Sequence, residues 1–235
     1  ADLDILHRNR AGGYLGMNRN EAVAEILRRC GHRAPRSADS TTNGKLAGDF
    51  LDVASAKVQR LGWPENTEDE VLLERNSTTN EYTDTEMKVG LPDSYEVLSI
   101  EPTGRDRSFF VHRRGPKLFW RDDSISTGTP WTSVFDDDLE VTRIFLLPFE
   151  ALPDHLADYV VSTAARNGWS EFAKEVTDRF RRAEISQEIR RQFFEDKTIA
   201  LSLKHEKDRT NLLDTAEARR VRGRRRGVSM GLLGP

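Results

Sequence analysis

Cysteine is almost absent from this chain of 235 residues, because Cys30 is the only one. One thiol cannot form an internal disulfide, a redox pair or a cysteine-rich metal site, so those classes are excluded. No apolar run approaches the roughly 18 to 20 residues that a membrane-spanning helix needs, and the first residues are polar and charged. We therefore expect neither secretion nor membrane insertion, and an intracellular assembly compartment fits best.

The sequence also lacks the motifs that mark enzymes and nucleotide-binding proteins. Its five histidines are dispersed, and none has the spacing of a zinc-binding helix. The glycines form neither the dinucleotide-binding pattern nor a phosphate-binding loop. Asp136, Asp137 and Asp138 lack the alternating oxygen ligands of a calcium loop, so a solvated turn is the better interpretation. We expect no enzyme activity, no cofactor and no metal site.

Two isolated features keep a chemical interpretation open at this point. Cys30 lies two residues before His32, but positions this close at a helix end do not face each other, so Cys30 is expected to be a small buried residue. Glu150, Asp154 and Asp158 are carboxylates that a hydrolase could use, although no positioned nucleophile or metal ligand accompanies them. A hydrolase is therefore the most distant alternative.

Charged residues make up 32% of the chain, yet they nearly cancel to a formal net charge of -3. The balance hides a basic stretch near the C-terminal end, which we call the arginine segment. It comprises Arg219, Arg220, Arg222, Arg224, Arg225 and Arg226. Such a segment can neutralise nucleic-acid phosphates, dock on an acidic protein groove or stay solvated without a partner. Composition alone does not choose among these three.

Apolar residues at spacings of three and four predict helices at both ends of the chain. The first helix is predicted from Ala22 to Cys30, and the second from Leu46 to Leu61. A third helix is predicted to follow Pro153 and to end at Asn167-Gly168. A long charged helix is predicted from Phe172 onwards.

Between these helix pairs, short apolar runs bounded by Gly, Pro, Asn and Asp predict β-strands. The runs are Val71 to Leu73, Met87 to Val89, Tyr95 to Ile100, Phe109 to Val111, Leu118 to Trp120 and Leu139 to Leu147. Arg114, Gly115 and Pro116 stand between two of the runs at a distance suited to a hairpin. The middle of the chain is therefore predicted to be β-rich and antiparallel.

The order of the elements predicts an α+β fold, in which a helical bundle of four main helices, two N-terminal and two C-terminal, carries a central antiparallel β-rich insertion. The bundle is assigned to residues 17–63 and 150–215, and the insertion to residues 64–149. Residues 1–16 contain several glycines and are predicted to be a flexible N-terminal arm. Residues 216–235 form an Arg- and Gly-rich C-terminal tail that we expect to order only on a partner.

Seven short stretches, taken in order, carry a resemblance to a known family. They are Glu21-Ala22-Val23, Cys30-Gly31, Asp52-Val53-Ala54, Gly62-Trp63, Leu91-Pro92-Asp93, Arg114-Gly115-Pro116-Lys117-Leu118-Phe119 and Phe149-Glu150-Ala151-Leu152-Pro153. From about residue 17 to 227 the chain resembles the tail tubular protein A family, the adaptors or gatekeepers of short-tailed bacteriophages. It departs from many relatives at Pro64, where they have an aromatic residue, and the residues before Met17 look like an extension.

The resemblance implies a structural protein of the virion tail at the head-tail interface, assembled in the host bacterial cytoplasm. It implies a homo-oligomeric, dodecameric ring that joins the portal protein to the nozzle protein, tail tubular protein B, and supports attachment of the tail fibre protein. Double-stranded DNA would pass through the ring during ejection without sequence recognition. On the family's architecture, the arginine segment is the candidate portal-binding site. The nozzle and fibre side of the insertion is assigned to Arg113, Arg114, Lys117 and Phe119.

The main alternative is a sequence-independent nucleic-acid-binding protein that acts through the arginine segment. It predicts affinity for any DNA duplex, and that affinity should fall steeply as salt concentration rises. A ring-forming adaptor predicts instead a large molar mass, either alone or after mixing with the portal.

Overall fold

Helices occupy both ends of the chain and strands occupy its middle. The computed structural model describes residues 17–35, 37–103, 111–121 and 130–225, with side chains through residue 207. The α+β class predicted from the sequence is confirmed, because α-helices and antiparallel sheets are both present. The predicted N-terminal arm, residues 1–16, lies outside the described residues.

Five α-helices lie within the described part of the chain. They are α1 Arg19–Arg29, α2 Thr42–Gln59, α3 Asp84–Met87, α4 Asp154–Phe172 and α5 Arg179–Arg225. Helix α1 begins at Asn18, whose side chain accepts a hydrogen bond from the Glu21 backbone N–H, while the Glu21 carboxylate accepts one from the Asn18 N–H. It ends at Cys30, and the next residue, Gly31, has a φ of 76° that suits glycine.

Helix α4 continues through Gly168 to Phe172, so the prediction that it ends at Asn167-Gly168 is wrong. Gly168 does not end the helix but allows other side chains to pack closely against it. A Cβ at Gly168 would lie 2.7 Å from Cε2 of Phe172 and 2.8 Å from Cδ2 of Phe50 on α2. Because glycine has no side chain, both aromatic rings can lie directly against the α4 backbone.

The long charged helix α5 begins at Arg179 rather than at Phe172, which is the last residue of α4 and is buried. Phe180 therefore does not share an apolar face with Phe172, and its side chain is 84% exposed. The later part of the prediction is confirmed, because Ile189 and Phe193 are helical and buried against the other helices.

Helix α5 has 47 residues, which at 1.5 Å per residue gives a rod of roughly 70 Å. Its buried apolar residues among the described side chains are Ile189, Phe193 and Ala200. The helix continues to Arg225 and so includes residues 216–225 of the predicted C-terminal tail. That this tail orders only on a partner stays a prediction.

Two small antiparallel sheets form the middle of the described chain. The strands are β1 Thr67–Leu73, β2 Glu96–Pro102, β3 Val111–Arg114, β4 Lys117–Arg121, β5 Trp131–Thr132 and β6 Leu139–Leu146. The first sheet has the order β1-β6-β2, and the second has the order β3-β4-β5. The β3-β4 hairpin turns at Gly115, where φ is 59°, as the sequence predicted.

The strand predicted at Met87 to Val89 is wrong, because Met87 ends helix α3 and Val89 lies in the turn that follows. The preceding Thr83 and Glu86 form a capping box, and this polar pair favours a helical turn over a strand. The predicted strand that begins at Phe109 starts outside the described residues, which resume at Val111 in β3.

Two apolar clusters fill the interior. The first lies among α1, α2, α4 and α5 and includes Trp63 and Tyr159. The second lies between the two sheets and α3, and it includes Met87, Val97 and Leu118. Strand β6 contributes to both clusters, so it connects the helical part of the core to the β-rich part.

Two buried amides fasten the helices to the first sheet. The Gln59 amide donates to the Leu147 carbonyl at 3.0 Å and accepts from the Leu147 N–H at 2.7 Å. The Asn66 amide donates to the carbonyls of Gln59 at 3.0 Å and Phe145 at 2.8 Å, and it accepts from the Trp63 N–H at 2.8 Å. Because these groups are buried and paired, they hold α2 and β6 in one orientation.

Candidate docking surfaces

The residues predicted for the nozzle and fibre side lie together on the β3-β4 hairpin. Arg113 stands opposite Leu118 and Arg114 stands opposite Lys117. Successive strand residues point to opposite faces of a sheet. Since Leu118 is buried, Arg113 points towards the core, while Arg114, Lys117 and Phe119 share the outer face.

Arg113 is engaged within the protein. Its Nη2 donates to Oδ1 of Asp84 at 2.9 Å, and its Nη1 donates to the Val97 carbonyl. These contacts join β3 to α3 and to β2. Arg113 therefore cross-links elements of the β-rich part of the chain, which leaves little of its guanidinium for a partner.

The outer face of the hairpin is basic and aromatic. The Arg114 guanidinium lies 5.1 Å from the ring centre of Trp131 and 5.6 Å from that of Phe119. Lys117 Nζ donates to Oε2 of Glu81 at 2.7 Å, and this hydrogen bond lowers the pKa of Glu81. Trp131 could not be assigned to this face from the sequence, since its strand has only two residues and shows no period.

The outer face of the first sheet carries unpaired carboxylates. Alternate residues of β6 are buried, so Thr142 points away from the core. Thr142 donates to Oδ1 of Asp69 at 2.7 Å and stands opposite Glu101, while Leu72 stands opposite Glu140 on the same face. Leu72 is 60% exposed, and neither Asp69 nor Glu101 forms an ion pair with any described residue. We call Asp69, Leu72 and Glu101 the acidic sheet face.

A groove of about 410 Å³ lies between α4 and α5 and has the opposite charge. We call it the aromatic groove. It is lined by Arg166, Trp169, Ser186, Ile189, Arg190 and Phe194. Phe194 is 60% exposed, and the Arg166 guanidinium lies 4.3 Å from the ring centre of Phe193. Neither Arg166 nor Arg190 forms an ion pair within the part of the chain that the structure describes.

A larger cavity, of about 590 Å³, lies at the start of α4. Glu150 and Asp154, two of the carboxylates considered for a hydrolase, line it together with His155. Lys207 forms an ion pair with Glu65 at its edge, and burial lowers the pKa of His155. Among the described residues there is no group of three or more His, Cys, Asp or Glu that could hold a metal ion.

Cys30 is buried, as the sequence predicted. Its Sγ–H donates to the Ala165 carbonyl at 3.8 Å, and burial raises the pKa of the thiol to about 12. His32 instead bonds the Phe172 carbonyl through Nε2 at 3.0 Å. The two side chains therefore do not form a nucleophile and base.

The arginine segment lies at the far end of α5. Its residues Arg219 to Arg225 belong to the last turns of the helix, and Arg226 lies outside the described residues. The assignment of this segment to portal binding stays a prediction. None of the helices in the described ranges has the length and apolar character that crossing a bilayer requires.

Comparison with known proteins identifies one family. The sequence model of a family described as Tail tubular protein matches residues 20–211. This span includes α1 to α4, both sheets and most of α5. No curated protein matches the chain.

Proposed function

The chain belongs to the tail tubular protein family, and we propose that it is the adaptor of a short-tailed bacteriophage, forming a ring between the portal and the tail nozzle. The match over residues 20–211 is the observation that carries the proposal. Membership makes the protein a structural component of the virion tail that assembles with other tail proteins. The family is not an enzyme family.

We infer that the ring is a dodecamer assembled in the host cytoplasm, and that it supports the tail fibre and lets genomic DNA pass during ejection. Helices α1, α2, α4 and α5 would act as one bundle, residues 17–63 and 150–215, with residues 64–149 as its insertion. The second apolar cluster lies entirely within residues 64–149, which supports this division, while Phe145 and Leu147 of the insertion pack in the first cluster. Symmetric rings need two unlike surfaces on each subunit, and bundle and insertion offer them.

The assignment of the partner surfaces comes from the family's architecture, and the placement of charge is compatible with it. We propose that the arginine segment meets the portal and that the outer face of the β3-β4 hairpin meets the nozzle and fibre proteins. Arg114, Lys117 and Phe119 are on that face, whereas Arg113 is held inside by Asp84. A partner with exposed carboxylates and an apolar residue would suit this basic and aromatic surface.

The ring is tested by measuring molar mass. Light scattering with negative-stain imaging would be applied to the protein alone and to the protein mixed with its portal. A ring in either sample is expected. A persistent monomer that ignores the portal and binds any duplex with a steep salt dependence would contradict the adaptor and favour the nucleic-acid-binding alternative.

The portal site is tested by two truncations. Deleting residues 221–235 removes most of the arginine segment and should weaken portal binding by tenfold or more, on the order of what several lost charge-assisted contacts produce. Deleting residues 227–235 keeps every arginine and is the matched control. Thermal unfolding should be unchanged in both, because the buried residues of α5 end at Ala200 among the described side chains. Equal portal affinity of the two truncated proteins would contradict the assignment of the arginine segment to portal binding.

A further inference from the structure

Two surfaces of opposite charge remain without a partner in the fold, and they belong to different parts of it. The aromatic groove lies on α4 and α5, and the acidic sheet face lies on β1 and β2. We propose that the aromatic groove of one copy receives the acidic sheet face of the next copy. This inference rests on the proposed ring and names the surfaces that close it.

The charges are complementary and uncompensated. Arg166 and Arg190 form no ion pair among the described residues, and the same holds for Asp69 and Glu101. A guanidinium binds a carboxylate through two parallel hydrogen bonds, which fixes the orientation of the partners as well as attracting them. Each copy therefore offers two basic and two acidic groups that a neighbour can pair.

The apolar residues are complementary as well. Phe194 at the groove and Leu72 on the sheet face are each 60% exposed, so each surface offers one large apolar side chain beside its charges. Burying both between two copies would remove their apolar surface from water, while the charged groups would form the rim. An interface of this kind has an apolar centre and a polar edge.

The two surfaces are unlike, and this decides the symmetry. No hydrogen bond or ion pair among the described residues joins the groove to the sheet face within one copy. A contact between unlike surfaces is head-to-tail, and it either closes into a ring or continues as a filament. A twofold dimer would instead need one self-complementary patch.

Duplex DNA is the other occupant that a basic and aromatic groove could attract. The neighbouring charges oppose it, because Arg191 is already paired with Glu188 at 2.5 Å and Glu195 at 2.7 Å. These carboxylates lie on the same helix as Arg190 and Phe194, where they would repel phosphates. A second protein copy fits the surface better.

The experiment uses two charge-reversal variants of the full chain. The groove variant is Arg166→Glu/Arg190→Glu, and the sheet variant is Asp69→Lys/Glu101→Lys. Each variant alone would bring like charges together at every subunit contact. In an equal mixture, however, the acidic groove of one variant meets the basic sheet face of the other, and each wild-type surface meets its normal partner. Alternating copies can therefore rebuild the ring.

We expect each variant alone to require at least a tenfold higher concentration than wild type to form the ring, on the order of the change that like-charge contacts produce. The mixture should regain the wild-type mass. The variant Arg179→Glu/Arg181→Glu is the control, because it makes the same charge change on an exposed turn of α5 outside the groove. Restored mass in the mixture also shows that both variants fold. The milder Arg190→Glu is used if the double groove variant does not fold.

Several results would overturn the inference. If both variants formed the ring at the same concentration as wild type, this inference would be wrong and the proposed adaptor function would be unaffected. Two impaired variants whose mixture stays impaired would show that these surfaces do not meet each other. If the groove variant still formed the ring but no longer bound duplex DNA, the groove would be a DNA-binding surface. A wild type that stays monomeric with and without the portal would remove the proposed function itself.

Discussion

At the scale of single residues, the fold depends on a few polar groups that are buried and paired. Arg29 is the clearest case, since only 14% of its side chain is exposed. Its Nε donates to Glu25 at 3.0 Å, and its Nη1 donates to Ser162 at 2.6 Å and to Asp196 at 3.1 Å. One guanidinium therefore joins α1 to α4 and α5, and its partners would keep their desolvation cost without it.

Replacing Arg29 by methionine should lower the free energy of unfolding by about 2 to 4 kcal/mol, because Asp196 would remain partly buried without a counter-charge and Glu25 would keep only the more exposed Arg28. Chemical denaturation measures the change. Arg28→Met is the matched control, since Arg28 pairs with the same Glu25 but is mostly exposed, and it should cost no more than about 0.5 kcal/mol. Equal effects of the two substitutions would contradict this account.

His155 gives a pH-dependent contribution. Burial lowers its pKa below the ordinary value of 6.5, so the folded state binds its proton at lower pH than the unfolded state does. The unfolded state therefore binds more protons as pH falls through 6.5, and folding stability declines there. His155→Gln lacks this effect, so the wild type should lose its stability relative to the variant between about pH 7.5 and pH 5. If wild type and His155→Gln gave parallel curves of stability against pH, the folded state would not lower the pKa of His155.

At the scale of elements, packing decides where several helices and strands begin and end. Helix α4 contains Gly168 in its interior because the rings of Phe50 and Phe172 pack directly against the helix backbone there. Helices α4 and α5 are separated by a 3₁₀ turn, Ala173–Glu175, although the spacing of Phe172, Val176 and Phe180 fits one continuous helix. The exposed Phe180 shows that a helical period in the sequence does not by itself prove a buried face.

Gly168→Ala tests the packing of α4 on α2. A Cβ would meet Phe172 at 2.7 Å and Phe50 at 2.8 Å, and such overpacking costs about 1 to 3 kcal/mol. This exceeds the gain of roughly 1 kcal/mol in helix propensity. The variant should therefore unfold at a lower temperature, whereas Ser170→Ala, at an exposed position of the same helix, should not. A Gly168→Ala variant more stable than wild type would mean that the rings of Phe50 and Phe172 move aside without cost.

The elements with a regular period were predictable from sequence. Helices α1 and α2 and strand β6 lie where spacing placed them, because each has one buried face along its length. Helix α3 and strand β5 were not predicted, since four and two residues cannot show a period. Local capping by Thr83 was the one signal for α3.

The candidate surfaces were predictable only where they are local. Arg114, Lys117 and Phe119 share a face because a hairpin places near neighbours opposite each other. The inward turn of Arg113 depends on Asp84 from a distant helix, and no period reveals it. The aromatic groove likewise joins Arg166 to Phe194 across two helices, so only the packed structure shows it.

At the scale of the whole molecule, near-neutrality conceals separate regions of charge. The net charge is -3, yet the groove carries unpaired arginines and the sheet face carries unpaired carboxylates. Such an arrangement favours association between copies in one orientation, because like regions repel and unlike regions attract. The charge of a subunit is thus less informative than where each sign lies.

Salt should therefore weaken the proposed ring. The screening length falls from about 10 Å at 0.1 M to about 3 Å at 1 M, so exposed guanidinium-carboxylate contacts lose most of their long-range attraction. The protein concentration needed for ring formation should rise over this range, as light scattering can measure. The Arg179→Glu/Arg181→Glu variant should show the same slope as wild type. A mass that does not change with salt would assign the contact to apolar residues alone.

The length of α5 has a mechanical consequence. Among the described side chains, α5 packs on the other helices through Ile189, Phe193 and Ala200, and further along Lys204 donates to the Leu61 carbonyl and Lys207 pairs with Glu65. The rod as a whole is roughly 70 Å long. The residues of α5 that follow Lys207 span roughly 27 Å, so a tilt of about 5° at the packed part would move the far end by about 2 Å, less than half a helical turn. A small rotation of the helix axis in the packed part of a subunit would therefore displace the C-terminal end of α5.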